Sequence, residues 1–366
     1  MSLSKYLLKG MCKAVEIMSD KRFGFFKYIR GKYSAVWGIP LILLAVWLFT
    51  GGWFFNNPKL ISATKFLMDT SVTVKIFVKN DSQGEVILKK AFDEAARIER
   101  IMEPLKGGGE LQRINASPAN SRRTVSPELR QVLERSQYFY NLTDGAFDPT
   151  IAPVKWLWDF ESDRKVPDKR EISEKLKSVH FSSVKIDDGS IIFTDPEVKL
   201  DLGGVAKGFI IDRMVAVLKD NGIKAGLVNA GGDIYSFGKK PGDNDWVIGI
   251  SHPRLSQTIR PHKTIQFAAV ATSGDYQRFF IVDGVRYHHI LDPSTGCPAW
   301  DCISVTVWTD TAMDADILAT SLFVMGPKRG LALAESLEHV ETLIFYENEG
   351  SVEAVMTSGI RGKVQL

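Results

Sequence analysis

The sequence predicts an α+β protein in which one membrane-spanning helix precedes a single mixed domain. Two observations predict it. The chain carries no charged residue between Lys32 and Lys59, and most of that interval is apolar. Downstream, short segments with the two-residue periodicity of strands and longer segments with helical periodicity follow one another in mixed order. Such an order is typical of an α+β domain and differs from the regular alternation of a parallel βαβ array.

The first element is the apolar run over residues 34–55, which is long enough to cross a bilayer because about 20 apolar residues suffice. Residues 1–57 carry eight Lys and Arg against two Asp and Glu, a net charge of +6. The positive-inside rule therefore places the basic segment 1–33 in the cytoplasm and the body of the protein across the membrane. We expect an uncleaved, single-pass transmembrane anchor, and a cleaved signal peptide is the alternative.

The remainder of the chain has a net charge of −3, so nothing favours nucleic-acid binding by the body. We interpret residues 56–65 as a linker and residues 66–366 as one domain. Cys12 falls on the cytoplasmic side of the predicted anchor. Cys297 and Cys302 form either a disulfide or two free thiols, since spacing alone does not decide.

Within the domain, periodicity and turn residues predict each element in order. Ser126-Pro-Glu is a helix-start signal, and Asp187-Asp-Gly189 is a hairpin turn. The predicted helices cover residues 86–102, 126–142, 171–177, 209–221, 312–325 and 328–337. The predicted strands cover residues 70–79, 225–229, 246–250, 268–272, 277–282, 303–309 and 342–346, the last of which closes the sheet. A hairpin is predicted over residues 184–192.

Residues 198–209 contain the strongest local sign of a ligand site. The pattern predicts an apolar strand carrying Asp201, a break at Gly203 and Gly204, and a helix with Lys207 in its first turn. Glycine lets the backbone approach a ligand closely, and a helix N-terminus offers free N–H groups and a positive dipole end. The combination is typical of a phosphate or pyrophosphate cradle, although strand–Gly-Gly–helix turns also serve as packing devices.

Other segments combine polar side chains with turns. Asp316 and Thr320 are four residues apart near a helix start, so their oxygens share one face, which suits Mg²⁺ as a hard cation. The alternative is a capping acid with a solvated threonine. The remaining segments are Thr143-Asp-Gly-Ala-Phe-Asp-Pro-Thr150, Asn229-Ala-Gly-Gly-Asp233, Thr272-Ser-Gly-Asp-Tyr276 and Tyr287-His-His-Ile-Leu-Asp-Pro293, each of which also has a plain reading as a turn, a cap or a structural histidine.

Taken together and in order, these segments resemble the FAD:protein FMN transferases, the ApbE family. The resemblance runs from about residue 64 to the end of the chain. The motifs that carry it are Met68-Asp-Thr-Ser71, Gly145-Ala-Phe-Asp-Pro-Thr150, Asp201-Leu-Gly-Gly-Val-Ala-Lys-Gly208, Asn229-Ala-Gly-Gly-Asp233, Thr272-Ser-Gly-Asp-Tyr276, His289-Ile-Leu-Asp-Pro293 and Ala315-Asp-Ile-Leu-Ala-Thr320.

The resemblance implies an enzyme that uses FAD as a substrate with Mg²⁺, releases AMP and attaches FMN through a phosphoester to a Thr or Ser of a partner protein. It implies Asp316, Thr320 and the carbonyl of Gly204 as metal ligands. It also implies Lys207 and His289 as catalytic residues, His289 being the base for the acceptor hydroxyl, which is a poor nucleophile unaided. Asp292 could orient His289, although the sequence alone does not show that contact. The implied FAD contacts are Met68, Ala146, Phe147, Asp148, Asp201, Lys207, Gly231, Gly232, Thr272, Ser273, His289 and Ile290.

The resemblance further implies an acceptor among membrane-associated redox subunits and a location in the bacterial inner membrane, with the catalytic domain on the periplasmic side. Two positions depart from the family pattern: Asp69 stands where Gly is common, and Leu105 stands near a usual aromatic residue that packs on the ligand. Two alternatives stay open. One is an Mg²⁺-dependent FAD pyrophosphatase that gives FMN and AMP, and the other is a non-catalytic, membrane-tethered flavin-binding protein.

Overall fold

The computed structural model describes residues 58–158, 160, 164–259, 265 and 267–364. The predicted segments 1–33 and 34–55 lie outside these residues. The described helices are α1 (Asp81–Met102), α2 (Glu110–Asn115), α3 (Pro127–Leu142), α4 (Ala152–Trp158), α5 (Lys169–Leu176), α6 (Ala206–Asp220) and α7 (Ala312–Ser336). The described strands are β1 (Lys59–Leu67), β2 (Thr70–Val78), β3 (Arg123–Thr124), β4 (Val184–Asp187), β5 (Ser190–Phe193), β6 (Gly226–Ala230), β7 (Asp233–Phe237), β8 (Ile250–Ser251), β9 (Thr258–Ile259), β10 (Ala269–Gly274), β11 (Phe279–Val282), β12 (Val285–His288), β13 (Ser304–Thr309), β14 (Glu341–Asn348) and β15 (Ser351–Met356).

An eight-stranded antiparallel sheet organises these elements, in the order β1-β2-β6-β7-β10-β13-β14-β15. Smaller sheets join β3, β5 and β4, pair β11 with β12, and pair β8 with β9. Every residue of β13 is buried, as expected for a strand covered on both faces. The mixed α+β prediction is confirmed.

Three helices form the layer over this sheet: α1 packs against β1 and β2, α6 against β6 and β7, and α7 against β10, β13 and β14. Their apolar faces and the inward side chains of the strands make one large core, which includes Val72, Val74 and Ile76 of β2. Gly208 lies where α6 and α7 approach closely, because a Cβ there would lie 2.2 Å from the carbonyl oxygen of Ala312.

Helix α7 contains a break at Gly326, where φ is 78° and ψ is 171°, followed by Pro327. The two helices predicted over 312–325 and 328–337 are therefore confirmed as two halves of one packed unit. Among the described helices, α7 alone has the length and hydropathy of a membrane span. Half of its most apolar window is buried within the fold, so it is a core helix.

Most predicted elements are confirmed where local signals were strong. Ser126 caps α3 by accepting a hydrogen bond from the backbone N–H of Leu129 at 3.3 Å. The β4–β5 hairpin turns at Asp188 and Gly189, which have φ of 43° and 68°. Helix α1 begins five residues before the predicted start, because the side chain of Asn80 caps it.

Two predictions about strands are wrong. Most of the predicted linker 56–65 belongs to β1, which pairs along its whole length with β2. The predicted strand over 198–202 lies in no sheet, although its residues alternate between buried and half-buried. Its backbone is instead held by the amide of Asn115, which accepts from the N–H of Leu200 and donates to its carbonyl, both at 2.9 Å.

The remaining differences concern short elements. The predicted strand 246–250 is reduced to β8 at Ile250–Ser251, and β15 follows the strand predicted to close the sheet. Cys297 and Cys302 are free thiols. Burial, with a smaller effect from Asp301, raises the pKa of Cys302 to about 12, so this thiol is protonated at neutral pH.

Candidate active site

The N-terminal turns of α6 and α7 meet at the centre of the site. The carboxylate of Asp212 on α6 accepts hydrogen bonds from the backbone N–H groups of Ala312 and Met313, at 2.8 and 2.9 Å. This contact fixes the first turn of α7 against α6. The N–H of Gly208, in the first turn of α6, donates to Oδ2 of Asp316 on α7 at 2.9 Å, so this carboxylate links the two helix starts.

The predicted metal ligands lie together at this junction. Asp316 is only 5% exposed, and burial raises its pKa to about 7 while Lys207 opposes that shift. Thr320 lies one turn further along α7, with its Oγ1 3.4 Å from Oγ of Ser273. A Cβ on Gly204 would lie 3.5 Å from the same Oγ1, so the Gly-Gly turn passes directly beside Thr320.

This ligand set contains one carboxylate. Among the described residues there is no group of three or more His, Cys, Asp or Glu side chains arranged to hold a metal. One carboxylate with a hydroxyl and a carbonyl does suit Mg²⁺, which commonly keeps waters and takes further oxygens from substrate phosphates. The buried carboxylate of Asp316, whose pKa is raised to about 7, would also be stabilised in its charged form by a bound cation. The residues present therefore fit Mg²⁺.

Lys207 lies in the first turn of α6, as predicted, and its ammonium group is ion-paired with Asp233. The distance from Nζ to Oδ2 is 2.6 Å, and Asp233 is 2% exposed. Burial by itself lowers the pKa of Lys207, but Asp233 and Asp316 outweigh it and leave the pKa raised. Oδ1 of Asp233 also accepts from the N–H of Thr272 at 3.0 Å, which ties the lysine to β10.

A second lysine lies on the other side of the Gly-Gly turn. Nζ of Lys155, on α4, is 2.7 Å from Oδ1 of Asp201, and the same oxygen accepts from the N–H of Gly203 at 2.9 Å. A Cβ on Gly203 would lie 3.0 Å from Nζ of Lys155. Burial works against ionisation of Asp201, but Lys155 and these hydrogen bonds leave its pKa lowered. Asp201, which is predicted to contact FAD, thus binds both the Gly-Gly turn and Lys155.

His289 follows the end of β12, and its backbone and ring both contact Arg278. Nδ1 lies 3.3 Å from the carbonyl oxygen of Arg278. Because a carbonyl can only accept, Nδ1 carries the proton and Nε2 presents a lone pair. Burial, followed by the charges of Lys155, His288 and Arg278, lowers the pKa of His289 to about 3. His289 is half-buried, and with this lowered pKa it is a neutral imidazole at neutral pH.

Asp292 does not orient His289, contrary to the prediction. Its Oδ1 accepts from the N–H and the hydroxyl of Ser294, at 2.8 and 2.7 Å, and so caps the local turn. The carbonyl of Arg278 holds the imidazole instead. A backbone group leaves no mark in the sequence, which is why the aspartate in the motif attracted the prediction.

Two hairpin turns meet at the end of the sheet next to this site. Met68 and Asp69 form the β1–β2 turn with φ of 54° and 55°, a conformation that Asp tolerates better than most residues. The β6–β7 turn contains Gly231 and Gly232, and a Cβ on Gly231 would lie 2.5 Å from Oγ1 of Thr70. Only a glycine therefore fits where these two turns touch.

Asp69 is the residue that departs from the family pattern, and its carboxylate lies 3.7 Å from the guanidinium of Arg278. The predicted flavin contact Met68 is thereby linked to the histidine side of the site. Leu105, the second departure, is 50% exposed in the loop between α1 and α2. It offers no aromatic surface to a ligand.

Several predicted FAD contacts have side chains that are already engaged within the protein. Oδ1 of Asp148 accepts from the N–H and hydroxyl of Thr150, at 2.8 and 2.6 Å, so it caps a short helix. Oγ1 of Thr272 is paired with Oγ1 of Thr306 at 2.9 Å, and Ile290 is buried in the core. Phe147, next to Ala146, packs against Gly204.

Two residues of the site were missed by the sequence analysis. Asp233 ends the Asn229–Asp233 motif, so a polar residue after Gly-Gly was a usable signal. For Lys155 the sequence contains only a weak signal, since it is the single charged residue of α4, a helix rich in aromatic residues. Its closeness to Asp201 depends on chain segments 46 residues apart.

Comparison with known proteins identifies the family. The sequence profile of the ApbE family matches residues 68–344. Two curated relatives are the FAD:protein FMN transferases of Treponema pallidum, 31% identical over 79% of this chain and 85% of that protein, and of Klebsiella pneumoniae, 30% identical over 80% and 91%.

Solved structures give the same result. The ApbE protein of Thermotoga maritima has a TM-score of 0.75 and 34% identity, covering 83% of this chain and 99% of that one. The flavin transferase ApbE from Vibrio cholerae has a TM-score of 0.74 and 28% identity, covering 84% and 99%. The order of motifs, the fold and these matches agree, and the chain belongs to the ApbE family.

Proposed function

We propose that this protein is an FAD:protein FMN transferase, which cleaves FAD, releases AMP and attaches FMN to a Thr or Ser hydroxyl of a partner protein. One observation carries the proposal: a neutral imidazole whose Nδ1 faces a carbonyl, which leaves the lone pair on Nε2, lies in a site where cationic side chains flank a Gly-Gly turn at a helix start. A proton acceptor and a phosphate cradle are the two parts that phosphoryl transfer to a hydroxyl needs. The names of the curated relatives support the same activity.

The charges of the site fit a pyrophosphate only when a divalent cation is included. The cations are Lys155, Lys207 and Arg278, and the carboxylates that pair with them or face them are Asp69, Asp201, Asp233 and Asp316. With all four carboxylates ionised, these side chains sum to one negative charge. A bound Mg²⁺ would reverse that sign and neutralise charge on the phosphate oxygens. Asp316, Thr320 and the carbonyl of Gly204 are the residues that would hold it.

The protein's own residues then account for the transfer step. Nε2 of His289 accepts the proton of the acceptor hydroxyl, whose oxygen forms a bond to the phosphorus of the FMN half. The bond between that phosphorus and the oxygen shared with AMP breaks, and AMP leaves with that oxygen. Lys207, held protonated by Asp233 and Asp316, stabilises charge on the phosphate oxygens without moving.

We further propose a membrane location. The apolar segment 34–55 anchors the protein in the bacterial inner membrane, and the site faces the periplasm, where a membrane-associated redox subunit presents its Thr or Ser. Tethering would raise the effective concentration of enzyme and acceptor at the same surface.

The test uses the full-length chain in detergent with FAD, MgCl₂ and a purified acceptor protein, followed by intact-mass analysis of the acceptor. A mass increase of one FMN, absent with EDTA and absent from an acceptor whose target hydroxyl is removed, is the expected result. Free FMN and AMP with an unmodified acceptor would identify a pyrophosphatase instead. Intact FAD in every sample would identify a flavin-binding protein.

A further inference from the structure

We propose that Lys155 is a catalytic residue of this site, one that binds the transferred phosphate from the side of the Gly-Gly turn opposite the cation-binding residues. The inference rests on the proposed function and adds a contact that the sequence motifs do not contain. It assigns to α4, which lies outside those motifs, a direct part in the reaction.

The first argument is placement. The two glycines of the turn face different partners, since Gly204 lies beside Thr320 and Gly203 lies beside the ammonium of Lys155. A Cβ at Gly203 would come within 3.0 Å of Nζ. A phosphate bound over this turn therefore meets the predicted cation on one side and Lys155 on the other.

The second argument is preorganisation. Oδ1 of Asp201 binds both Nζ of Lys155 and the N–H of Gly203, at 2.7 and 2.9 Å, so one oxygen fixes the ammonium relative to the turn. The side chain of Lys155 is 32% exposed, so it is still accessible to a ligand. A positioned cation of this kind stabilises developing charge without reorganising during the reaction.

The third argument is the division of charge. Lys207 is neutralised by the buried Asp233 and also faces Asp316, so it belongs to the cation side of the turn. The charges that act on His289 are those of Lys155, His288 and Arg278. Arg278 lies 3.7 Å from Asp69, whereas Lys155 lies 2.7 Å from Asp201 directly beside the Gly-Gly turn.

This placement has a second consequence for His289. The positive charge of Lys155 disfavours the imidazolium and so lowers the pKa of His289, together with burial, His288 and Arg278. A base that stays neutral is ready to accept the hydroxyl proton. Loss of Lys155 should therefore raise the pKa of His289 toward its ordinary value of about 6.5.

The experiment compares the full-length wild type with Lys155→Met and Lys155→Arg, using Lys175→Met as the control. Lys175 lies on α5 and pairs with Glu197 at the surface. For Lys155→Met we expect kcat of FMN transfer to fall roughly a hundred- to a thousandfold, in line with the loss of one charge-stabilising group. When the pH is lowered, Lys155→Met should lose activity at a higher pH than the wild type does. Lys155→Arg should recover most of the rate.

A second measurement does not depend on turnover. The ring signals of His289, followed by NMR against pH in the resting protein, should titrate at higher pH in Lys155→Met than in the wild type. A variant that keeps both the rate and the titration of the wild type would overturn the inference while leaving the proposed function intact. A wild type that titrates as expected but never modifies an acceptor would instead refute the proposed function.

Lys155→Met leaves Asp201 without its cation and thereby threatens folding. The double variant Lys155→Met/Asp201→Asn removes both charges, so no unpaired carboxylate remains. It should fold and show the same raised titration of His289. An unchanged titration in the folded double variant would contradict the inference.

Discussion

Single side chains in this site are held by partners that fix their protonation as well as their position. The carbonyl of Arg278 fixes the tautomer of His289, and the N–H of Gly208 binds Asp316. The spacing of Asp316 and Thr320 was readable from the sequence because i and i+4 positions share a helix face. The partners of His289 and Lys155 were not readable, since they come from the backbone or from distant segments.

Removal of the carboxylate at position 316 should abolish turnover. Asp316→Ala takes away the only carboxylate of the predicted metal set, so we expect no measurable FMN transfer at any MgCl₂ concentration. Asp314→Ala is the matched control, because Asp314 lies on the same helix turn but pairs with Arg135. Near-normal transfer by Asp316→Ala in saturating MgCl₂ would remove Asp316 from the metal site.

Removal of the base should separate catalysis from binding. His289→Ala should slow transfer by about 10²–10⁴-fold, the usual contribution of a general base, while FAD affinity measured by fluorescence changes little. His339→Ala serves as the control, since His339 is exposed and pairs with Asp310. An equal loss of FAD affinity and rate would make His289 a binding residue.

At the scale of elements, the site depends on how closely α6 and α7 approach. Asp212 on α6 caps the first turn of α7, and Gly208 leaves room for its carbonyl groups. Helix boundaries were largely predictable, because Ser126, Gly326 and similar residues act locally. The extended segment 198–202 was not, because its alternating pattern is that of a strand while its hydrogen-bond partner is the side chain of Asn115.

Gly208→Ala tests the helix contact. The added methyl group would meet the Ala312 backbone at 2.2 Å, so α7 must shift and carry Asp316 with it. We expect a loss of about 1–3 kcal/mol in the free energy of unfolding and a fall in transfer rate. Gly350→Ala, where nothing lies within 4 Å but φ is 79°, reports the cost of left-handed backbone strain without a clash. Unchanged stability and rate at position 208 would contradict the packing.

Asp212 gives the helix contact a pH dependence. Burial raises its pKa from 3.8 to about 6, opposed by its two backbone hydrogen bonds. The native state thus binds the proton more tightly than the unfolded state does. The stabilisation is complete below about pH 3.8 and is lost as pH rises through about 6. In thermal melts, the stability of the wild type relative to Asp212→Asn should decrease over this interval, and a constant difference would refute the assignment.

The whole molecule joins segments that lie far apart in the chain. The turns after β1 and β6, the Gly-Gly turn, the end of β12 and the start of α7 converge on one end of the helix-covered sheet. The family and the general site were predictable from the sequence because seven motifs occur in one order. The motifs did not predict which of their side chains face a ligand, since Asp148, Thr272 and Asp292 are engaged in capping or pairing.

The proposed reaction attaches one FMN for each AMP that it releases, and this ratio tests the central claim most directly. The measurement follows AMP by chromatography and flavinylated acceptor by intact mass in one time course with the full-length protein, FAD and MgCl₂. We predict that the two products rise together, in equal amounts, until the acceptor is fully modified. AMP that accumulates beyond the flavinylated acceptor, matched by free FMN, would contradict transfer to protein and show transfer to water.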